Sequence, residues 1–303
     1  MNLADGLGPR GAAVGCGLGA AGLGLAYMAA GGAPASYLMI NAAALAFGLV
    51  TLCILVLADR RTHLAPGPVN LLLGLILLAV SLWGVTAGGV TRWVALGPLI
   101  IQPGLMVVPL MAVLFARSRD DLSLAGVALA ALALALQPDR GMSGALAAGL
   151  AVLAFARPDR LTLAAAGASV LGLGAALMQP DPSPAMPFVD QILYSSFAIH
   201  PLAGAAVVLG SVLLVAPALA TLRARGVEPT ACAVFGAVWA AIVVAAALGN
   251  YPTPVVGYGG SAIVGYFLSL IVFSRRSLQP EPGAVEVARQ AEDDGPVLYA
   301  GLS

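Results

Sequence analysis

The chain has 303 residues and carries fourteen basic and fourteen acidic side chains, so its formal net charge is zero. Of its residues 60% are hydrophobic and 9% are charged, and the mean hydropathy is +0.97. Because soluble domains carry about 25% charged residues, this composition excludes an ordinary soluble protein and predicts a polytopic membrane protein.

Apolar runs, separated by charged or Pro/Gly-rich clusters, divide the chain into about ten candidate membrane-spanning segments. The first run lacks the flanks of a cleaved signal peptide and is predicted to remain as the first helix. The predicted spans are residues 11–31, 37–58, 68–88, 98–116, 122–137, 142–156, 161–178, 192–222, 229–249 and 256–274. The fifth and sixth are short and the eighth is long. The sequence therefore predicts an all-α, polytopic membrane bundle of about ten transmembrane helices.

The arginines, which supply all of the basic charge, are unevenly distributed between the two sides of the predicted bundle. Twelve of them fall on alternate loops, and only Arg92 and Arg140 lie on the opposite side. Because basic residues are enriched in cytoplasmic loops, this pattern predicts a multi-pass protein with both termini in the cytoplasm.

The chain is predicted to form one membrane domain, residues 1–277, followed by a short tail, residues 278–303. The tail is rich in acidic residues and proline and is predicted to be disordered. The three cysteines, Cys16, Cys53 and Cys232, fall inside apolar runs. They are interpreted as packing residues, so no metal site is predicted.

Four polar or irregular stretches interrupt the apolar runs on the side away from the twelve arginines. We call them the outer segments: the first is residues 88–104, the second 137–141, the third 179–191 and the fourth 250–261. Their prolines and glycines favour irregular backbone, which in a membrane protein lies at the bilayer edge or lines a protein-enclosed cavity. Four non-adjacent segments on one face can converge into a single site.

The motifs of these outer segments resemble, in the same order, those of the SEDS family of polytopic proteins, which includes RodA and FtsW. The family patterns RW-x-x-LG with QPSE, QPDxG and PxPxxSYGGS are matched by Arg92, Trp93, Leu96, Gly97, Gln102 and Pro103, by Gln137, Pro138, Asp139 and Gly141, and by Pro252, Pro254, Tyr258, Gly259, Gly260 and Ser261. Residues 189–194 are similar to the family's TDFIF-like segment. The resemblance covers most of residues 68–274, whereas the first two predicted helices resemble the family in hydrophobicity alone.

The resemblance implies a role in cell-wall synthesis. SEDS proteins polymerise glycan strands from the undecaprenyl-linked disaccharide precursor of peptidoglycan, usually beside a transpeptidase of the class B penicillin-binding protein type. It thus implies a protein of the bacterial inner (cytoplasmic) membrane that serves cell division or cell shape, with this precursor, the transpeptidase and membrane lipids as partners. No nucleic-acid partner is expected, and no cofactor is identified. By its position, Asp190 matches the family's catalytic aspartate and is the candidate catalytic residue.

Several polar and charged groups of the family pattern are missing from this chain. The departures are Gly104 and Leu105 for serine and glutamate, Val108 for the following lysine, Ala198 and Ile199 for paired glutamates, and Gly257 for serine. The missing carboxylates and lysine are groups that could hold a pyrophosphate or a cation. Three hypotheses therefore stay open: a peptidoglycan glycosyltransferase, a noncatalytic scaffold or regulator of a transpeptidase, and a transporter of the lipid-linked precursor.

Glycan polymerisation needs a base for an acceptor hydroxyl and positive charge for the departing pyrophosphate. Asp190 is the candidate base, because desolvation raises the pKa of a carboxylate toward the working range. The alternative is a solvated carboxylate that caps the next helix. Arg92 and Arg140 are candidate pyrophosphate contacts, because one guanidinium can donate two parallel hydrogen bonds to two oxygens of a phosphate. The alternatives are pairing with Asp139 or contact with lipid headgroups.

Further polar and glycine residues complete the predicted substrate-binding set. Gln102 belongs to it through the first outer segment, while Gln137 and Asp139 contact substrate or, alternatively, satisfy helix ends broken by Pro138. The start of the last predicted helix offers free backbone amides that suit an anion. The alternative is tight packing of the glycines with the serine as helix cap. The residues concerned are Tyr258, Gly259, Gly260 and Ser261.

Overall fold

The structure is a computed structural model that describes residues 3–62, 65–97, 99–181, 184–221 and 228–273. Within these ranges the chain forms eleven α-helices and one small sheet. The elements are α1 (Leu3–Ala30), α2 (Ala35–Thr62), α3 (Pro66–Trp83), β1 (Val85–Ala87), β2 (Val90–Leu96), β3 (Leu99–Ile101), α4 (Pro103–Arg117), α5 (Asp121–Leu136), α6 (Arg140–Ala156), α7 (Arg160–Leu177), α8 (Ile192–Ile199), α9 (Pro201–Thr221), α10 (Pro229–Leu248) and α11 (Gly260–Ser269). The predicted tail, residues 278–303, lies outside the described residues.

Six of the described helices are long and apolar enough to cross a membrane: α1, α2, α3, α7, α9 and α10. Shorter apolar helices stand at the remaining predicted spans: α4, α5, α6 and α11, the last extended by a 3₁₀ turn at Leu270–Phe273. The prediction of an all-α polytopic membrane bundle is confirmed.

The eighth predicted span, residues 192–222, is wrong as a single helix. The chain forms α8, which ends at Ile199, and then α9, which begins at Pro201. Proline lacks a backbone N–H and disfavours helical backbone in the residue before it. His200 is accordingly extended, with φ −165° and ψ 143°. The interruption lets α8 pack against α9 at the outer end of the bundle.

The third predicted span, which ran to residue 88, is also too long. α3 ends at Trp83, and the chain continues into a three-stranded antiparallel sheet in the order β1-β2-β3. The strand Val90–Leu96 is rich in β-branched and aromatic residues, which pack well on a pleated surface. The first outer segment is therefore built on strands that carry Arg92, and the helix that follows begins only at Pro103.

The core of the bundle is centred on α4, in which twelve of fifteen residues are buried. Aromatic side chains of α10 and α11 pack nearby, with Tyr266 at ring-centroid distances of 5.7 Å from Phe235 and 5.1 Å from Trp239. By contrast, α2 and α7 leave large apolar side chains such as Phe47 and Leu171 exposed. An apolar outer surface of this kind suits lipid, whereas large exposed apolar patches are rare on soluble monomers.

Glycines let some of these helices approach to backbone contact. A Cβ atom added to Gly265 of α11 would lie 2.1 Å from the carbonyl oxygen of Leu105 in α4. One added to Gly126 of α5 would lie 2.2 Å from the carbonyl oxygen of Asn70 in α3. Close packing of this kind is a main source of helix association in lipid, where the hydrophobic effect between helices is lost. The contact at Gly265 sets how closely the outer ends of α4 and α11 approach.

Two ion pairs join loops at the end of the bundle opposite the outer segments. Arg119 pairs with Asp159 at 2.9 Å, and Arg157 pairs with Glu228 at 2.7 Å. Asp159 and Glu228 also accept hydrogen bonds from backbone amides in the first turns of α7 and α10. Each acid therefore combines a helix N-cap with a link to a neighbouring loop.

Candidate functional site

The third and fourth outer segments pair directly with each other. Asp190 and Pro252 form an isolated antiparallel bridge. The backbone amide of Tyr258 donates to the carbonyl oxygen of Phe188 at 2.7 Å. Asp190 is thereby held beside the glycine-rich start of α11, although the two lie far apart in the sequence.

The first, second and fourth outer segments meet around Gln102. Its backbone amide donates to Oγ of Ser261 at 2.9 Å, and its Nε2 donates to Oδ2 of Asp139 at 3.0 Å. Oδ1 of Asp139 accepts from the amide of Met142 at 3.0 Å and so caps α6. Asp139 is only 1% exposed, and these two hydrogen bonds compensate for the hydration that its carboxylate loses on burial. Ser261 thus links two helices and does not cap its own.

A second polar link joins the first, third and fourth outer segments. Nη2 of Arg92 lies 2.6 Å from Oδ1 of Asp181, and the hydroxyl of Tyr251 donates to Oδ2 of Asp181 at 3.1 Å. The guanidinium of Arg92 also lies 5.1 Å from the ring centroid of Trp93. Burial, together with the neighbouring Asp181 carboxylate, raises the pKa of Tyr251, so this phenol remains protonated and donates.

Asp190 lies at the wall of a cavity of about 380 Å³, a volume at the small end of the usual range for ligand sites. The cavity lies between α1, α8 and the third outer segment. It is lined by Tyr27, Ala185, Met186, Pro187, Phe188, Asp190, Gln191, Ser195 and Ile199. The lining combines apolar surface with one carboxylate, an arrangement able to hold a ligand and to exchange a proton with it.

The surroundings of Asp190 shift the pKa of its carboxyl upward. Burial raises this pKa, the hydrogen bond from the Met186 amide and the positive charge of Arg92 oppose the rise, and the negative charge of Asp181 adds to it. Oδ2 of Asp190 accepts from the backbone amide of Met186 at 2.8 Å. The N-cap position of α8 is Gln191 and not Asp190, and the Asp190 carboxylate bonds to an amide that precedes it, so the alternative in which Asp190 caps the next helix is wrong.

Backbone strain is concentrated in the outer segments. Among the described residues, the non-glycine residues with positive φ are Pro138 (27°), Phe188 (63°), Gln191 (57°) and Val255 (66°). Two of them flank Asp190 closely. Strained backbone is retained where the surrounding contacts hold it, and it clusters at functional sites.

Gln137 and Arg140 make contacts that hold elements together. Nε2 of Gln137 donates to the carbonyl oxygen of Leu77 at 3.1 Å, near the outer end of α3. Nη2 of Arg140 donates to the carbonyl oxygen of Gln179 and so ties the second outer segment to the third. Neither residue lines the cavity at Asp190.

The glycine-rich motif of the fourth outer segment is fixed by α2. Nδ2 of Asn41 donates to the carbonyl oxygen of Gly257 at 2.9 Å, and its Oδ1 accepts from the amide of Gly259 at 3.1 Å. Tyr258 stacks on Tyr37 at a centroid distance of 3.7 Å. A Cβ at Gly260 would lie 2.8 Å from that of Ala44 in α2, which supports the packing alternative for this glycine.

Sequence reasoning missed Asn41, Asp181 and Tyr251 as members of this network. Asn41 gave the clearest signal, because a polar side chain inside a strongly apolar helix is costly and commonly has a partner. Asp181 and Tyr251 lie inside two of the outer segments, but nothing in the sequence indicates that they contact each other.

Replacing Asn41 by alanine is expected to lower the free energy of unfolding by about 2–3 kcal/mol, because two hydrogen bonds to buried backbone are lost. Thermal and denaturant unfolding in detergent measure this change. Thr51→Ala is the matched control on α2, since its hydroxyl bonds only to its own helix, at the carbonyl oxygens of Phe47 and Gly48. Equal losses in the two variants would contradict the assigned role of Asn41.

The departures from the family pattern have a structural explanation at three positions. Leu105 and Val108, where the family has glutamate and lysine, are 3% and 0% exposed in the core around α4. A Cβ at Gly257 would lie 2.9 Å from the carbonyl oxygen of Thr253 and 3.1 Å from that of Phe188. The backbone here leaves little room for the family's serine. Among the described residues, no group of three or more acidic, histidine or cysteine residues could hold a metal ion.

Part of the chain is similar to a curated cell-wall protein. It is 37% identical over 149 residues to the protein named probable peptidoglycan glycosyltransferase FtsW of Nitrosococcus halophilus. The match covers 43% of this chain and 38% of that protein, so the chain spans well under half the length of this relative. No family model matches the chain.

The fold is similar to that of the rod shape determining protein RodA of Thermus thermophilus in its crystal structures. The similarity to RodA covers 86% of this chain and 94% of that chain, with a TM-score of 0.58 and 22% identity. A RodA mutant with aspartate replaced by alanine gives a TM-score of 0.59 at 21% identity over 86% of this chain and 95% of that chain. The arrangement of the helices is therefore of the RodA kind.

Proposed function

We propose, from the premise that the chain belongs to the SEDS family, that it is a peptidoglycan glycosyltransferase which polymerises a lipid-linked disaccharide precursor. The observation that carries the proposal is the position of Asp190. Its carboxyl is buried, its pKa is raised, and it lines a cavity between helices. A buried carboxylate with a raised pKa is a stronger base than an exposed aspartate, which suits the deprotonation of a sugar hydroxyl.

In the proposed reaction, the carboxylate of Asp190 accepts the proton of an acceptor sugar hydroxyl. The hydroxyl oxygen then forms a bond to the anomeric carbon of the donor sugar, and the bond from that carbon to the lipid diphosphate breaks. The departing diphosphate takes the electron pair of that bond. Its negative charge is stabilised by Arg92, whose guanidinium lies within electrostatic reach of Asp190.

The other proposed substrate-binding residues divide into three groups. Gln102, Asp139 and Ser261 form the hydrogen-bonded link between α4, α6 and α11, so their proposed role is to shape the site. Gln137 and Arg140 bond to backbone carbonyls of other elements. For Tyr258 and Gly259 we propose contact with the substrate at the start of α11, whereas Gly260 packs against Ala44 of α2.

A noncatalytic role is the second candidate, and one observation favours it. Leu105 and Val108 place apolar core where the family pattern has an acid and a lysine. In this alternative the chain binds a transpeptidase or the precursor and acts as a scaffold or regulator.

The experiment that decides between them is polymerisation of a fluorescent lipid-linked precursor by the purified chain, with and without a class B penicillin-binding protein type transpeptidase from the same cell. Polymer formed by the chain alone, or by the pair only when both are present, supports the glycosyltransferase. Co-purification with the transpeptidase and no polymer in any combination supports the scaffold.

We further propose that the chain lies in the bacterial inner membrane with both termini in the cytoplasm, so that the outer segments face the cell wall. The distribution of the arginines supports this orientation. Labelling of single cysteines by an impermeant reagent in intact cells tests it. A cysteine introduced at Gly89 is expected to react, and one introduced at Asp121 is not.

A further inference from the structure

The ion pair between Arg92 and Asp181 is almost completely buried. The two side chains are 5% and 7% exposed, and Nη2 lies 2.6 Å from Oδ1. A buried ion pair loses hydration on both sides, so its net contribution to stability is small, whereas a buried charge without a counter-ion is costly. Arg92 therefore needs an anion at this position, but stability does not require that the anion be Asp181.

Arg92 has support that does not depend on Asp181. Its guanidinium lies over the ring of Trp93, at 5.1 Å from the centroid, which is a cation–π contact. Its backbone belongs to β2, which pairs with both β1 and β3. Arg92 can thus keep its position when its anion is exchanged.

Asp181 belongs to the third outer segment and lies outside any helix or strand. Its other carboxylate oxygen, Oδ2, accepts from the hydroxyl of Tyr251 at 3.1 Å. Its side chain can rotate away from Arg92 without breaking regular secondary structure, at a cost that includes the ion pair with Arg92 and the hydrogen bond from Tyr251. Both charges of the pair act on Asp190, so an anion that replaces Asp181 would lie within reach of the proposed base.

We propose that Asp181 is an internal counter-ion of Arg92 and that the diphosphate of a lipid-linked ligand displaces it on binding. This inference rests on the proposed function, because it concerns the same site. In the exchange, phosphate oxygens take the guanidinium hydrogen bonds, Asp181 becomes hydrated, and no covalent bond changes.

The exchange provides selectivity among lipids. A phospholipid headgroup with one negative charge gains no charge advantage over the carboxylate already in place, whereas a diphosphate carries more charge and more acceptor oxygens. Because anionic phospholipids are abundant in a membrane, an arginine without an internal competitor would bind them. Asp181 keeps the site available for the diphosphate.

The test measures binding of farnesyl diphosphate to the full chain in uncharged detergent micelles, for the wild type and for Asp181→Asn. The variant keeps an acceptor for Tyr251 but loses the competing charge. We expect it to bind farnesyl diphosphate about tenfold more tightly, which corresponds to about 1.4 kcal/mol of binding free energy. We also expect phosphatidylglycerol to compete with the probe in the variant and not in the wild type.

A second variant keeps the test valid if Asp181→Asn does not fold. Tyr251→Phe retains the ion pair and removes one of the bonds that hold Asp181, so about threefold tighter binding is expected from the loss of one hydrogen bond. Asp159→Asn is the matched control, because Asp159 also pairs with an arginine, Arg119, but at the other end of the bundle. The affinity of this variant for farnesyl diphosphate is expected to equal that of the wild type.

Unchanged or weaker binding of farnesyl diphosphate in Tyr251→Phe and in any folded Asp181→Asn overturns the inference. The result is separable from the fate of the proposed function. Tighter binding in the variants of a chain that polymerises nothing would remove the proposed function and leave the exchange standing. A chain that polymerises the precursor but shows unchanged binding in both variants would keep the proposed function and overturn the exchange.

Discussion

Replacing Asp190 by asparagine is expected to lower the rate of glycan polymerisation about 10²–10⁴-fold, the contribution of a positioned general base. Asparagine keeps an acceptor for the amide of Met186 and is nearly the same size, so the backbone bridge to Pro252 is retained. The substitution therefore removes proton transfer while it preserves the cavity. The measurement is the initial rate of polymer formation from a fluorescent lipid-linked precursor.

The control for this substitution is Asp121→Asn, which changes an exposed carboxylate in the first turn of α5, at the opposite end of the bundle. Its rate is expected to equal that of the wild type. If Asp190→Asn and Asp190→Ala both polymerised at the wild-type rate, Asp190 would have no part in the mechanism.

The stability of the same variant gives a second readout that does not depend on activity. Burial raises the pKa of Asp190 in the folded state, so its carboxyl favours folding when protonated. This contribution is fully present below the unfolded pKa, about 3.9, and is lost as the pH rises through the folded value. Asp190→Asn mimics the neutral form. It is therefore expected to melt at a higher temperature than the wild type above the folded pKa and at a similar temperature near pH 4.

The polymerisation rate of the wild type is expected to depend on pH through the ionisation of the Asp190 carboxyl. As the proposed base, Asp190 acts only when deprotonated, so its raised pKa is expected to move the acid limb of the activity profile above the pH at which an exposed aspartate ionises. Burial is the main cause of the raised pKa of Asp190, and the negative charge of Asp181 adds to it. In Asp181→Asn this added effect is gone, so the acid limb is expected to move to lower pH. A limb that stayed in place would show that Asp181 does not act on the base.

Gly265→Ala is expected to have the largest effect on the fold, a loss of about 3 kcal/mol or more in the free energy of unfolding. The added Cβ would lie 2.1 Å from the carbonyl oxygen of Leu105, which is backbone and cannot turn aside as a side chain does. α4 and α11 would have to separate. The bond from Gln102 to Ser261 at their outer ends would then lengthen, so activity is expected to fall together with stability.

Gly144→Ala is the matched control for this prediction, because a Cβ at Gly144 of α6 meets no atom within 4 Å. Alanine there is expected to be neutral or to stabilise the helix by about 0.5–1 kcal/mol. Unfolding of both variants by increasing concentrations of a denaturing detergent measures the difference in their free energies of unfolding. Similar stability of Gly265→Ala and Gly144→Ala would show that the α4–α11 contact is looser than the structure gives.

The sequence by itself determined the class of fold, the order of the spanning segments and the segments from which the site is built. Hydrophobicity over about 20 residues reports on lipid burial directly, because each span must satisfy its own backbone inside the membrane. Irregular, polar outer segments stand out against such runs. Asp190 became the candidate base through the resemblance of residues 189–194 to a short family motif and through its place in the order of segments.

The end of α3, the break before Pro201 and the partners of the charged residues were decided by local and tertiary effects that hydrophobicity does not report. The strand preference of Val90–Leu96 competes with an apolar run that could equally be helix. Pro201 lies inside a run apolar enough to read as one span. Proline marks a possible break, but Pro217 lies inside α9 without ending it, so the sequence alone does not tell which proline separates two helices.

Only the tertiary structure decided which groups meet. Asn41 bonds to Gly257 across 216 positions of sequence, and Arg92 reaches Asp181 across 89. Such pairs depend on how whole helices pack, which is set by close contacts such as that at Gly265, and no local pattern encodes them. The sequence identifies the chemical groups of the site because these are local properties. Their distances, burial and pKa shifts arise from long-range packing.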